Sequence, residues 1–392
     1  MPFYRQVGEI PRVKHTAFHK PDGKSLYREE LFSSKGFSGV YANKYYVHMP
    51  TSVLSVKELA PAPSVAWPEA PLTYYHFYTD RLKRPGNFLS ARDAMLRNSH
   101  TIIHTAHVTA DTDLFYRNAY AAEYVFIHRG SGVFLSEFGK IPFEPGDQLI
   151  VPRAVTHQLK FKDFKDNKIV VVECDTAYEI PRRYRNEYGQ LEEHAPYCER
   201  DFKTPEFMPA HEEQGEFPVI IKAGDRYFEY ILPNHPFGVV GWDGFVYPYS
   251  FNFRDFNPKV GRIHLPPPVH TAFKTENFIV CNYVPRPFDF HPHAIPAPYF
   301  HSNIDSDEVL YYADGEFMSR AGIEAGSVTL HPGGIPHGPQ PGRTEASIGA
   351  KGTNEWAIMF DTYSPLNVTR NVEKCLDKDY ARSWLTPEKA WQ

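Results

Sequence analysis

Cysteine is scarce in this 392-residue chain: the four present, Cys174, Cys198, Cys281 and Cys375, are widely spaced and form no C-x-x-C pair. A zinc knuckle and a dense disulfide framework are thereby excluded, and the thiols suit a reducing cytosol. Long apolar runs are missing too. The opening MPFYRQVGEIPRVKHT has no hydrophobic segment of a secretion signal, and no later stretch approaches the roughly 20 uninterrupted apolar residues that a membrane helix needs. The expectation is a cytoplasmic protein with no membrane partner. Neither sign of charge dominates: the net charge is −5 with histidine neutral, and no basic block offers a track for phosphates, so nucleic acid is not an expected partner. Stretches free of helix breakers are equally rare, because 35 prolines and 25 glycines interrupt the chain. Short strands joined by turns fit that punctuation and long helices do not. What the chain has in quantity is apolar and aromatic surface, 42% hydrophobic with 25 tyrosines and 29 phenylalanines, ample for a large core. The fold class is mainly β.

At roughly 150 residues per domain the length suggests two or three units, and an internal repeat selects two. FYRNAYAAEYVFIHRG (115–130) and FHSNIDSDEVLYYADG (300–315) match without gaps, pairing Asn118, Glu123 and Gly130 with Asn303, Glu308 and Gly315 at a constant offset of 185. GDQLIVPRAVTH (146–157) and GSVTLHPGGIPH (326–337) then pair Gly146, Pro152 and His157 with Gly326, Pro332 and His337 at an offset of 180. Each copy reads as a strand, a glycine turn, a second strand, then a further apolar strand and a proline turn ending in histidine. That is the pattern of a cupin, a small jelly-roll barrel whose inner wall collects a histidine and glutamate from one strand pair and a later histidine from another. Two copies predict a double cupin. The polar, proline-interrupted stretch 177–225 is read as a connecting segment, which puts an N-terminal β domain at 1–225 and a C-terminal cupin at 226–392. Residues 238–256 are expected to return extended structure toward the second barrel, and the tail from 366 to form a short helix or an arm on a neighbouring subunit.

In the second copy His301, Glu308 and His337 supply two neutral imidazoles and a carboxylate. Such a facial triad covers one face of an octahedron and leaves three positions for substrate and oxygen, the arrangement non-haem iron(II) oxygenases use. A single histidine in a β-rich chain is more often a hydrogen-bonded structural residue; what marks these three as ligands is that all of them stand at repeat-defined positions. Asp305 and Asp307 compete for the carboxylate role. The repeat selects Glu308, because Glu123 is retained opposite it while Tyr120 and Ala122 stand opposite the aspartates. In the first copy the matching residues are Tyr116, Glu123 and His157. A phenol there removes one ligand expected for iron(II), so the N-terminal cupin is read as degenerate. His331, six residues before His337, is placed to orient a ligand or to touch substrate.

Taken together, GWDGFVYPYSFN, RIHLPPPVH, APYFHSNIDSDEVLYY and LHPGGIPHGP resemble the homogentisate 1,2-dioxygenase family, in particular its shorter bacterial members. The likeness extends from the opening MPFYRQVGEIPRVKHTAF over most of the chain. The resemblance implies a mononuclear iron(II) centre, molecular oxygen as cosubstrate, and ring opening of 2,5-dihydroxyphenylacetate to maleylacetoacetate in tyrosine and phenylalanine breakdown. It also implies a homo-oligomer, a hexamer built from trimers. The family's metal ligands fall on His301, Glu308 and His337 and its acid/base histidine on His264. Tyr299, His331 and His337 are the expected substrate contacts. An imidazole of ordinary pKa, near ~6.5, suits His264 both to take a phenol proton and to return it.

Three departures from the better-known members bear on the substrate. Phe317 stands two residues past Gly315 where they carry tyrosine, Ser302 follows the first ligand where they carry arginine, and the His301 to Glu308 spacing is one residue longer. They keep open a second reading, the same iron chemistry on another para-diphenol such as gentisate or a hydroquinone. A third reading is a non-enzymatic bicupin binding protein, and a fourth a bicupin isomerase using zinc or manganese, since cupin ligands do not fix the metal.

Overall fold

The computed structural model describes residues 3–60 and 65–385, and strands dominate it. Burial along each strand follows its sequence pattern. Asn167–Cys174, NKIVVVEC, is buried at every position because it lies in mid-sheet, whereas Gly139–Phe143, GKIPF, alternates buried and exposed residues. Pro142 is tolerated because its strand is the outermost of the sheet, where a missing N–H breaks no ladder.

The first unit joins an eight-stranded sheet, containing Ala122–Arg129, Asp147–Val151, Asn167–Cys174 and Thr101–Val108, to a seven-stranded sheet containing Phe115–Asn118, Gly132–Ser136 and His157–Phe161. Their inner faces meet: the Tyr116 hydroxyl on one sheet donates to Glu123 on the other at 2.7 Å, and Phe134, Leu149 and Val171 are fully enclosed. The second unit is a six-stranded sheet in the order Thr271–Lys274, Phe278–Tyr283, Trp356–Thr362, Asp307–Asp314, Ser327–His331 and Tyr75–Tyr78. A short pairing of Arg286–Pro287 with Gly352–Thr353 and a bridge between His301 and His337 accompany it.

The repeat is visible in the strand register, and the fold is the expected double cupin. Tyr116 pairs with His157 as His301 pairs with His337. Glu123 lies opposite Val151 and Glu173, as Glu308 lies opposite His331 and Asp361. The repeated glycines have a steric reason. Gly130 and Gly315 have φ of +95° and +88°, and a Cβ would stand 2.2 Å from Asn167 Oδ1 in the first and from the Asn354 carbonyl in the second.

Where the two units meet, strands are exchanged. Tyr75–Tyr78 forms the edge of the second unit's sheet, and Asn367–Val368 ends the eight-stranded sheet of the first. The boundary expected at 225 falls in the turn of a hairpin whose strands, Gln214–Ala223 and Arg226–Asn234, both belong to the first unit. Nor does 238–256 return to the second barrel: Val239–Gly244 pairs with Tyr41–Tyr46, and Tyr249–Asn252 with the strand Asp147–Val151. The polar residues upstream masked the strand at 214–223, whose apolar half, PVIIKA, is ordinary strand sequence. The tail forms two short 3-10 turns, Arg370–Cys375 and Tyr380–Arg382, and folds on its own chain, with the Trp384 ring 4.8 Å from that of Tyr74; its last residues, from 386, lie outside those described. No helix among the described residues is long and apolar enough to cross a membrane.

Candidate metal centre

Strand alternation decides which acid faces the barrel interior. Asp307 and Glu308 are adjacent on Asp307–Asp314 and so point to opposite faces. Both oxygens of Asp307 accept backbone N–H groups, from Gly333 and Leu366 at 2.7 Å each, and Asp305 is exposed in the preceding loop. Glu308 is buried and turns inward, 3.6 Å from His301 Nε2 and 3.4 Å from His337 Nε2. The two histidines direct Nδ1 to backbone carbonyls, Tyr299 at 3.3 Å and Ile335 at 3.1 Å. That contact fixes the tautomer in which the Nε2 lone pair faces Glu308. Reciprocal backbone hydrogen bonds of 2.9 and 2.8 Å hold His301 and His337 together.

One ligand atom from each of the three lies within 4.8 Å of the others, the one such cluster among the described residues. His337 Nε2 is buried without a hydrogen-bond partner, which is unfavourable for a bare imidazole and natural for a nitrogen that donates its lone pair to a cation. The residues therefore fit a divalent metal. Burial pushes the Glu308 carboxyl up, but the three histidines gathered around it, His301, His331 with its 2.7 Å hydrogen bond, and His337, outweigh that and hold the carboxyl well below the usual range, as an anionic ligand requires.

His331, expected either to orient a ligand or to touch substrate, is not on the cavity wall. It sits behind the carboxylate, fully enclosed, with Nδ1 donating to Glu308 Oε1 at 2.7 Å and Nε2 accepting from the Tyr380 hydroxyl at 3.0 Å. Its part is to aim Glu308. His337, expected both as a ligand and as a substrate contact, is likewise buried and off the wall, with Nε2 turned toward Glu308. Replacing His331 with phenylalanine keeps the ring and removes the bond to Glu308; metal affinity, read by competition with a chelator, is expected to fall about 10- to 100-fold. Unchanged affinity would remove the aiming role.

A cavity of about 350 Å³ reaches the triad through His301 and Glu308. His264, Tyr299, Ser302 and Phe317 line it. The rings of His264 and Tyr299 meet edge-on at 5.0 Å, and burial lowers His264, leaving it mostly neutral at pH 7. Tyr299 is half exposed, and Phe317 packs against Tyr312 at 4.6 Å. Sequence reasoning missed His270, Tyr283 and Asp361 on the same wall. Asp361 had one available signal: it ends an apolar strand, WAIMFDT, as Glu173 ends NKIVVVEC. Its carboxyl is pushed up to about 8, by burial first and then by the charge of Glu308.

In the first barrel an arginine is bonded to the glutamate that matches Glu308. The Arg92 guanidinium bonds both oxygens of Glu123, at 2.9 and 3.0 Å, and reaches Glu173 at 3.5 Å. Tyr116 and Asn118 donate to the same Glu123 oxygen at 2.7 and 3.1 Å, and Lys222 contacts Glu173. Burial raises the Glu123 carboxyl, but the charge and hydrogen bonds of Arg92 bring it down to about 2; Glu173 is also depressed, against burial, chiefly by Lys222. His157 is lowered to about 4 by burial. All three shifts act in one direction. A buried neutral histidine must charge as pH falls from ~6.5, and carboxylates with depressed values lose their contribution between ~4.3 and about 2. Hydrogen exchange in Ala122–Arg129 is expected to accelerate steadily below pH ~6 and steeply below ~4. Protection that stayed constant down to pH ~3 would contradict this.

A double cupin with a candidate metal cluster in one barrel and an arginine across the matching residues of the other defines the class. Two family profiles cover most of the chain: that described as the homogentisate 1,2-dioxygenase N-terminal region matches residues 78–253, and that described as its C-terminal region matches 250–391. The chain belongs to the homogentisate 1,2-dioxygenase family. It is 40% identical over 389 residues, 98% of this chain and 100% of the other, to a protein of Saccharolobus solfataricus named only as a dioxygenase. It is 28% identical over 295 residues to the homogentisate 1,2-dioxygenase of Bradyrhizobium diazoefficiens, matching 71% of this chain and 64% of that relative's length. Among solved structures, a cupin 2 conserved barrel domain protein from Leptotrichia buccalis matches 77% of this chain and all of its own, at 9% identity and a TM-score of 0.36.

Proposed function

We propose that this chain is an iron(II)-dependent dioxygenase that opens the ring of homogentisate with molecular oxygen to give maleylacetoacetate, in tyrosine and phenylalanine catabolism. The observation that carries this reading is a two-histidine, one-carboxylate cluster reaching a cavity that also presents a neutral imidazole, His264. Held by His301, Glu308 and His337, iron(II) would supply the place where a phenolate and oxygen meet. Both atoms of the oxygen molecule enter the product as one ring carbon–carbon bond breaks, so no external reductant is required. His264 takes the phenol proton at its free nitrogen and returns it after the ring opens. Tyr299, at the rim beside His264, orients the ring, and such positioning contributes several kcal/mol toward the transition state.

A second reading, the same chemistry on gentisate or a hydroquinone, is favoured by Phe317, which puts no hydroxyl on its part of the wall. The homo-oligomer belongs to the proposal as well, supported by the exposed apolar side chains of Phe290, Phe300 and Ile304; light scattering tests it. Cytoplasmic residence is supported by the four free cysteines. The deciding experiment is anaerobic reconstitution with iron(II), followed by oxygen uptake against homogentisate, gentisate and hydroquinone. Fastest uptake with homogentisate is expected, a preference for either of the others selects the second reading, and no uptake with any of them sinks the dioxygenase reading.

A further inference from the structure

His270 and Asp361 both line the cavity, and each holds a buried atom without a hydrogen-bond partner, Nδ1 of the first and Oδ1 of the second. They come from different elements, the turn Pro267–His270 and the strand Trp356–Thr362. The turn is stiff, because the preceding prolines fix its φ angles. His270 is 4% exposed, and its ring is held 5.0 Å from that of Tyr283, whose hydroxyl is turned to Met359 Sδ at 3.4 Å. Burial lowers the His270 imidazole to about 3. At neutral pH it is uncharged, with one nitrogen a donor and the other an acceptor. A buried nitrogen without a partner is unfavourable, so the occupant of the cavity is the natural source of one. Asp361, the cross-strand neighbour of Glu308, lies near the metal cluster; His270 has no such link to it. Two residues of one wall that each hold an unpaired polar atom call for an occupant with more than one polar group.

We propose that His270 is a substrate-positioning residue, hydrogen-bonded to the second ring hydroxyl of a para-diphenol whose first hydroxyl lies at the triad. The inference rests on the ring-cleavage reading above and adds to it the source of preference for a diphenol over a monophenol. A phenolic hydroxyl both donates and accepts, so it satisfies either tautomer of the imidazole. A ring without that hydroxyl leaves the nitrogen unpaired, and sites built around such a hydrogen bond reject the analogue that lacks it.

The test compares anaerobic binding of homogentisate and of 2-hydroxyphenylacetate, which lacks the second hydroxyl, to iron(II)-loaded protein. The unchanged protein is expected to bind the diphenol at least about tenfold more tightly. In His270→Phe the diphenol weakens by about that factor, the monophenol is unchanged, and kcat/KM for homogentisate falls through KM. His270→Asn, which keeps a polar group near the Nδ1 position, restores much of the difference. A His270→Phe protein with the parent's affinity ratio would overturn the proposal and leave a water as the partner of Nδ1. If that variant loses its metal or melts early, the parent decides: equal affinity for the two compounds overturns it. A parent that shows the expected preference but takes up no oxygen overturns the ring-cleavage reading alone. A parent that binds neither compound overturns both.

Discussion

Glu308→Gln is expected to leave the chain folded and without its metal. The amide matches the carboxylate in shape, so packing around this buried position is kept. What goes is the one negative ligand of the cluster, and of two acceptor oxygens a single one is left, for His331, now 2.7 Å away, or for the cation, but not for both. A hard divalent cation loses its charge partner, and affinity should drop by more than about 100-fold, beyond the range for removing an outer partner of a ligand. Iron retained after anaerobic reconstitution and desalting should fall from one per chain to near none, and oxygen uptake should vanish with it. Asp307→Asn separates the ligand role from mere acidity in this strand. Asp307 accepts two backbone N–H groups on the opposite face, so its variant should keep the metal and lose about 1–3 kcal/mol of stability. If instead Glu308→Gln retained iron and turned over while Asp307→Asn did not, the assignment drawn from strand alternation would be wrong.

The cluster of His301, Glu308 and His337 was legible in the sequence because a cupin repeats itself at fixed spacing, and the register turns each repeat position into a spatial one. Tyr116 and His157 pair across strands as His301 and His337 do, so the alignment carried geometry as well as identity. His264 and Tyr299 were found through family motifs and lie together on the cavity wall. The failures have physical causes. A histidine six residues before a ligand can face substrate or stand behind the carboxylate, and only the pairing of Glu308 with His331 decides between them. The boundary at 225 was misplaced because composition marks where residues are polar, whereas the hairpin 214–234 is defined by what it pairs with, Phe115–Asn118 on one side and Ser55–Leu59 on the other. His270 and Arg92 carried no motif. Their importance lies in burial beside groups distant in sequence, which a single chain of letters does not reveal.

Arg92→Met is expected to lose stability without gaining metal. In Arg92→Met the guanidinium is removed while Glu123 and Glu173 stay buried, with Lys222 left as the nearest cation to Glu173 and none bonded to Glu123. Breaking a buried ion pair by deleting one partner costs about 3–5 kcal/mol, because the remaining charge has neither water nor a counterion. Chemical denaturation should therefore show a midpoint shift of that size. Combining Arg92→Met with Glu123→Gln removes both charges and should recover most of the loss, giving a coupling energy of several kcal/mol in the double-mutant cycle. Titration with iron(II) then asks whether the first barrel is a latent metal site. Once Arg92 is gone, Glu123 and His157 remain as iron(II) ligands, while Tyr116 offers a phenol whose pKa burial raises well above its ordinary value and so keeps it protonated and a poor ligand. The expected stoichiometry stays at one iron per chain. A second equivalent bound by Arg92→Met would show that the arginine alone had been excluding the ion, and that a phenol at Tyr116 in place of an imidazole is no bar to binding.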